Sequence, residues 1–172
     1  AVLDVVASIE ADGITTQPLR VSHAFHSPLM EPMLAEFDRV ARRVAFSPPR
    51  KPIVSNVTGQ IAGPEIATPE YWVRHVRQPV RFAQGMETLR ERGLGVFVEI
   101  GPGSTLLSLG RASSPEADAG WIPSLRANGD WEQMLRALAN LHARGVQIDW
   151  KAFDATLAST LGAAGYHTVA EV

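Results

Sequence analysis

Val96-Phe97-Val98-Glu99-Ile100-Gly101-Pro102-Gly103-Ser104 is the stretch on which the fold turns. Its first five residues form a nearly continuous apolar run, the pattern of a buried parallel strand. Gly101-Pro102-Gly103 then turns the chain, and a helix is predicted to begin near Ser104. A strand feeding a helix through a tight turn belongs to a layered α/β fold. Upstream, a helix is predicted over 82–92, closed by Gly93. Before it, Thr68 reads as an N-cap with Pro69 at the first helical position, opening a short helix to about Arg77 that Gln78-Pro79 breaks. Pro48, Pro49 and Pro52 forbid helix and lead into a short predicted strand over 53–57, turned by Thr58-Gly59-Gln60. Met33, Phe37, Val40, Ala41 and Val44 share one face of a helix over 31–44. The chain opens on a helical pattern of Val2, Leu3, Val6 and Ile9 ended by Gly13, followed by a predicted strand over 15–21.

Downstream, residues 112–120 read as a surface loop or linker. A short strand over 121–125 comes next, then a helix from about Asp130 with Trp131, Met134, Leu135, Leu138 and Leu141 on its apolar face and Gly145 at its end. Val146-Gln147-Ile148-Asp149-Trp150 alternates like an edge strand. The stretch from Leu161 onward is rich in Ala and Gly and is expected to be poorly ordered.

The sequence has 172 residues, 45% hydrophobic and 20% charged, with a net charge of -2 and no cysteine. That composition is expected of a globular domain with no general attraction for nucleic acid or an anionic membrane. Without cysteine, disulfides, thiolate metal sites and a cysteine nucleophile are excluded. A reducing, cytoplasmic setting is the expectation. The opening at Ala1, directly inside a helical pattern, leads us to expect a piece of a longer polypeptide.

His23-Ala24-Phe25-His26-Ser27-Pro28 lies between the predicted strand over 15–21 and the helix over 31–44. An imidazole at such a junction suits a general base or acid, since it titrates near neutral pH. On spacing alone, a surface or satisfied core histidine is the favoured reading of His26. A zinc site on His23 and His26 would need further ligands, and none lies near them in sequence. The glycines before Ser104 do not complete a dinucleotide fingerprint, because Leu106 occupies the third glycine position. Nor does Ser104 sit in a Gly-x-Ser-x-Gly elbow, so it is expected to cap a helix. Arg74, Arg77 and Arg81 are spaced to hold an anionic group, or to form a solvated charged face. Trp121, Trp131 and Trp150 are expected to anchor packing.

Taken in order, several motifs resemble the acyltransferase domain of modular polyketide synthases. They are residues 21–32 (Val-Ser-His-Ala-Phe-His-Ser-Pro-Leu-Met-Glu-Pro), 54–59 (Val-Ser-Asn-Val-Thr-Gly) and 71–74 (Tyr-Trp-Val-Arg). Residues 77–82 (Arg-Gln-Pro-Val-Arg-Phe) and 97–103 (Phe-Val-Glu-Ile-Gly-Pro-Gly) continue the series. Residues 121–125 and 145–150 look like the linker that follows such domains. The resemblance implies a partial α/β-hydrolase-like subdomain with the last helix and strand of a ferredoxin-like one, then an α+β linker. By this match residues 1–21 end the ferredoxin-like subdomain, 22–111 form the C-terminal part of the large subdomain, and 112–172 are the post-acyltransferase linker region.

The resemblance also implies a chemistry. A serine takes malonyl from malonyl-CoA and passes it to the phosphopantetheine thiol of an acyl carrier protein. His26 would be the catalytic base in both halves. A backbone carbonyl near His75, Gln78 and Pro79 would orient its ring. His23, Ala24 and Phe25 would set the preference for malonyl, with bulky Phe25 narrowing the place of an α-methyl. No covalent cofactor or metal is implied. The partners would be the carrier protein, a ketosynthase and the other domains of the same synthase, with no nucleic acid or membrane. The family's nucleophile elbow is absent from the 172 residues, so the serine is expected outside this chain, and this piece alone is expected to be inactive. Two alternatives are a serine hydrolase using Ser104 and a non-catalytic docking module around residues 121–150.

Overall fold

The computed structural model describes residues 2–16, 23–113, 118–126 and 131–155. Its described helices are α1 (Val2–Ala11), α2 (Glu31–Ala41), α3 (Pro69–Arg77), α4 (Phe82–Glu91), α5 (Thr105–Ser113) and α6 (Trp131–Ala143). Its described strands are β1 (Val96–Glu99) and β2 (Gly120–Pro123). The chain divides into two compact units, Ala1–Gly85 and Met86–Val172.

In the first unit α2 packs against α3. Met30, Ala41, Ile66, Tyr71 and Val76 are its buried apolar residues. Local signals start and stop these helices as the sequence predicts. Thr68 Oγ1 accepts from the Tyr71 N–H at 3.3 Å, with Pro69 next in the first turn. Gly13, at φ +78, ends α1, and its N–H donates to the Glu10 carbonyl. None of the residues of α1 is buried, and Val2 and Leu3 are 77% and 80% exposed. Most of the strand predicted over 15–21 lies outside the described residues, and Ile14, Thr15 and Thr16 are irregular.

The strand predicted over 53–57 does not form. A lone antiparallel bridge joins Val54 to Ile61, and residues 55–60 make a turn. The cause is Ser55, whose Oγ accepts from the N–H groups of Val57 and Thr58 at 3.1 and 3.3 Å. A side chain that takes neighbouring backbone donors competes with a sheet ladder for them.

In the second unit β1 and β2 pair in parallel, from Val96 opposite Gly120 to Glu99 opposite Pro123, with α5 in the connection between them. The strand, turn and helix start read from residues 96–104 are thus completed into a βαβ unit by the strand expected over 121–125. The Phe97 and Trp121 rings stack with centroids 4.5 Å apart. Gly110 of α5 lies under Trp121, and a Cβ there would sit 2.5 Å from the indole ring. β1 is not buried as its apolar run predicts: Val96 and Val98 are each more than a third exposed. On α6, Gln133 and Ala137 are buried, whereas Trp131 and Leu135 of the predicted apolar face are exposed. Gln133 tolerates burial because its Nε2 donates to the Pro123 carbonyl at 2.8 Å.

Three further expectations are corrected in this unit. The carboxylate of Glu99, not Ser104, caps α5, accepting from the Leu107 N–H at 3.0 Å; a carboxylate also suits the positive end of a helix. Helix α5 extends through Ser113, into the segment read as loop from Ala112. Residues 146–149 form no strand, and 150–155 are helical. Asp149 starts that helix by accepting from the Ala152 N–H at 2.9 Å. Alternation over five residues could not reveal this, because the decisive signal was a cap.

Candidate active site

The site is built on the loop that carries His26. Ser27 starts a short 3-10 turn over Pro28–Met30: its Oγ accepts from the Leu29 N–H and donates to the Ala24 carbonyl at 2.7 Å. This folds residues 24–29 tightly and leaves His26 at φ +64, the one left-handed residue other than glycine among those described. Such a conformation costs a residue with a Cβ about 1–2 kcal/mol, so something must hold it. Two hydrogen bonds do so. The His26 N–H donates to the Val76 carbonyl at 2.9 Å, and the ring Nδ1–H donates to the Gln78 carbonyl at 2.8 Å. Both acceptors lie at the C-terminal end of α3, where helix carbonyls lack helical partners.

The second bond fixes the chemistry of the ring. A carbonyl only accepts, so Nδ1 carries the hydrogen. In the neutral imidazole the lone pair is therefore on Nε2. His26 is half-buried and in this tautomer is prepared to take a proton at Nε2.

His75 meets His26 through its ring, edge-on, with centroids 5.6 Å apart. Behind it lie Trp72 at 5.5 Å and Tyr71 at 6.1 Å. Burial, and next the nearby charge of His26, hold His75 below the ordinary histidine pKa. The carbonyl opposite Nδ1 is that of Gln78, and Pro79 follows it where the chain leaves α3. Phe25 is half exposed, its ring 6.3 Å from His26 and 6.2 Å from His23. Ala24 contributes a backbone carbonyl to Ser27.

Of the three spaced arginines, two are occupied internally. Arg77 Nε pairs with Glu31 at 2.9 Å. Arg81 Nε donates to the Val57 carbonyl at 3.1 Å and its Nη1 to Gln84 at 3.0 Å. Arg74 is exposed. Ser104 is exposed in the second unit, and its carbonyl accepts from Ser108. Trp131 stacks on Phe153 at 5.8 Å, and Trp150 meets His142 and Phe153 edge-on. No group of three or more metal-ligating side chains occurs among the described residues, and no described helix is long and apolar enough to cross a membrane.

Sequence reasoning gave no role to Ser55 or Tyr71. Both are almost fully buried, and their hydroxyls lie 2.8 Å apart. A serine opening a Ser-Asn-Val-Thr-Gly turn was the available signal. The Val76 carbonyl was missed because a backbone acceptor leaves no trace in residue type.

A parallel βαβ unit and a histidine held by a backbone carbonyl are compatible with the α/β acyltransferase domain that the motifs resemble. Residues 1–148 match the family described as acyl transferase domain, and the chain belongs to it. Polyketide synthase GfsA of Streptomyces halstedii is 44% identical over 156 residues, covering 88% of this chain and 2% of that protein. The acyltransferase domain from the second module of the salinomycin polyketide synthase superposes with a TM-score of 0.81 at 41% identity, covering 92% of this chain and 38% of that domain. A type II polyketide acyl carrier protein in complex with its malonyl-transacylase includes a chain matched at TM-score 0.68 and 28% identity, over 81% of this chain and 43% of that one. The chain thus spans less than half the length of each.

Proposed function

We propose that these residues supply the histidine half of a polyketide synthase acyltransferase that loads malonyl from malonyl-CoA onto an acyl carrier protein. The observation that carries the reading is the 2.8 Å bond from His26 Nδ1–H to the Gln78 carbonyl, which leaves Nε2 as the base. In the first half-reaction Nε2 takes the proton of a serine hydroxyl outside this chain. The serine oxygen bonds to the malonyl thioester carbon, the carbon–sulfur bond breaks, and Nε2–H returns its proton to the departing coenzyme A sulfur. The second half runs the same steps in reverse order, with the phosphopantetheine thiol as the attacking group. No carboxylate is needed behind the ring. The Gln78 carbonyl holds the ring, and the Val76 carbonyl holds the backbone that bears it.

Phe25 supports the choice of malonyl: its ring lies 6.3 Å from that of His26, and the family resemblance implies that this bulk narrows the place of an α-methyl. One methyl group is worth only about 1–3 kcal/mol in such a pocket, so His23 and Ala24 are assigned a share of the selectivity. The carrier-protein partner is supported by the similar transacylase solved with its carrier protein. A ketosynthase and the remaining domains of a synthase complete the assembly. Residues 1–21, 22–111 and 112–172 are assigned to the small subdomain, the large subdomain and the linker. Alone, the 172 residues are not expected to transfer acyl groups.

The test uses the intact acyltransferase domain, holo acyl carrier protein, and equal amounts of malonyl-CoA and methylmalonyl-CoA, with the loaded carrier weighed by mass spectrometry. Malonyl is expected in at least about tenfold excess. Equal loading contradicts the selectivity, and failure to load either unit contradicts the function.

A further inference from the structure

Only residues 78–81 connect α3 to α4, yet they carry the carbonyl that holds the His26 ring. An acceptor is no better placed than the peptide that bears it. Gln78 has already left the helix, with ψ at 148°, and its N–H is tied back to the Arg74 carbonyl at 2.7 Å. Pro79 has no N–H to anchor. The next described backbone bond belongs to Arg81, whose N–H donates to the Asn56 carbonyl at 2.9 Å. The Arg81 side chain adds two more, Nε to the Val57 carbonyl at 3.1 Å and Nη1 to Gln84 Oε1 at 3.0 Å.

The turn that receives Arg81 is itself locked. The Ser55 N–H donates to the Gln60 carbonyl at 2.8 Å, and the Gly59 N–H to the Ser55 carbonyl at 2.7 Å. Ser55 is 1% exposed, and its Oγ bonds Val57, Thr58 and the Tyr71 hydroxyl. Gly59 has φ +70, and a Cβ on it would lie 2.6 Å from the Cβ of Gln84. The first turn of α4 therefore sits directly on the 55–60 turn. A guanidinium spans the two because its donors are fixed in one plane, whereas an ammonium offers a single point of charge.

We propose that Arg81 is a positioning residue for acyl transfer: by fastening residues 78–81 to the 55–60 turn, it holds the Gln78 carbonyl against Nδ1 and keeps the His26 lone pair on Nε2. The inference rests on reading His26 as the base. The described bonds of the Arg81 side chain go to the Val57 carbonyl and Gln84, so it acts through Gln78. Without that acceptor the ring is free to carry its proton on Nε2, where it cannot accept one.

The experiment uses the intact acyltransferase domain labelled with 15N-histidine, with the His26 ring signals assigned by their loss in His26→Gln. Wild type is expected to show the Nδ1–H tautomer. Arg81→Ala is expected to show a mixture with Nε2–H, and kcat lowered on the order of ten- to a hundredfold with KM for malonyl-CoA unchanged. Arg81→Lys is expected to lie between them. If Arg81→Ala does not fold, Arg81→Met, which keeps the aliphatic stem, is read in the same way. A pure Nδ1–H ring in the variant overturns the proposal, whatever the rate. Undiminished transfer by His26→Gln instead overturns the general-base reading, and the tautomer result still judges Arg81.

Discussion

The unit up to Gly85 orders its loops with directional bonds from side chain to backbone, made by Ser27, Ser55, Thr68, Trp72 and Arg81. The unit from Met86 onward uses such bonds mainly to cap helices and seat a strand, through Glu99, Asp149 and Gln133, and adds an aromatic anchor, with Trp121 stacked on Phe97 and seated over Gly110. Hydrophobic contact is non-directional and sets no ring tautomer. A half-buried imidazole held at φ +64 needs partners in defined directions, and the first unit supplies them. The contrast teaches where to expect chemistry: on loops whose polar bonds are fully specified by a firm scaffold.

The contrast breaks if the second unit is indifferent to its packing. Gly110→Leu places side-chain atoms where the Trp121 ring already lies, the would-be Cβ being 2.5 Å away. Overpacking of this kind costs about 1–3 kcal/mol, read as a lower urea midpoint of the intact domain. An unchanged midpoint would show that the indole has room to move and is not an anchor.

Legibility in the sequence followed the same division between local and distant causes. Helix α3 could be read to its first residue because Thr68 and Pro69 are adjacent to what they start. The ends of α1 and α4 were legible from Gly13 and Gly93, both at positive φ. The strand and following helix were legible from residues 96–104, whereas the pairing of β1 with β2 and the exposure of β1 were not, since an apolar run does not say what covers it. Thr58-Gly59-Gln60 was legible as a turn, whereas residues 55–57 were misread as strand, because Ser55 takes the Val57 and Thr58 N–H groups and is held by the Tyr71 hydroxyl 16 residues away. For the site, the residue types around His26 could be singled out. Its orientation was expected only from the family resemblance, which implied a backbone carbonyl near His75, Gln78 and Pro79; residue types alone carry no trace of a carbonyl 52 residues distant.

A smaller effect sharpens the contrast on the electrostatic side. Burial and the neighbouring His26 hold His75 below the ordinary value near 6.5. The folded state therefore releases the His75 proton more readily than the unfolded chain. Below that ordinary value the unfolded chain binds more protons, so this contribution to stability falls as pH drops through the depressed value. Urea midpoints of the intact domain at pH 7.5 and 5.5 should draw closer together in His75→Asn than in wild type. An equal separation in both proteins would mean that the His75 ring titrates as it would in water.

The central claim is that His26 takes and returns the proton in acyl transfer. Its most direct measurement is the single-turnover rate at which the intact domain is acylated by malonyl-CoA, compared between wild type and His26→Ala. We predict a fall of roughly a hundred- to ten-thousandfold, with the variant still folded by circular dichroism. A folded His26→Ala domain acylated at the wild-type rate would contradict the account.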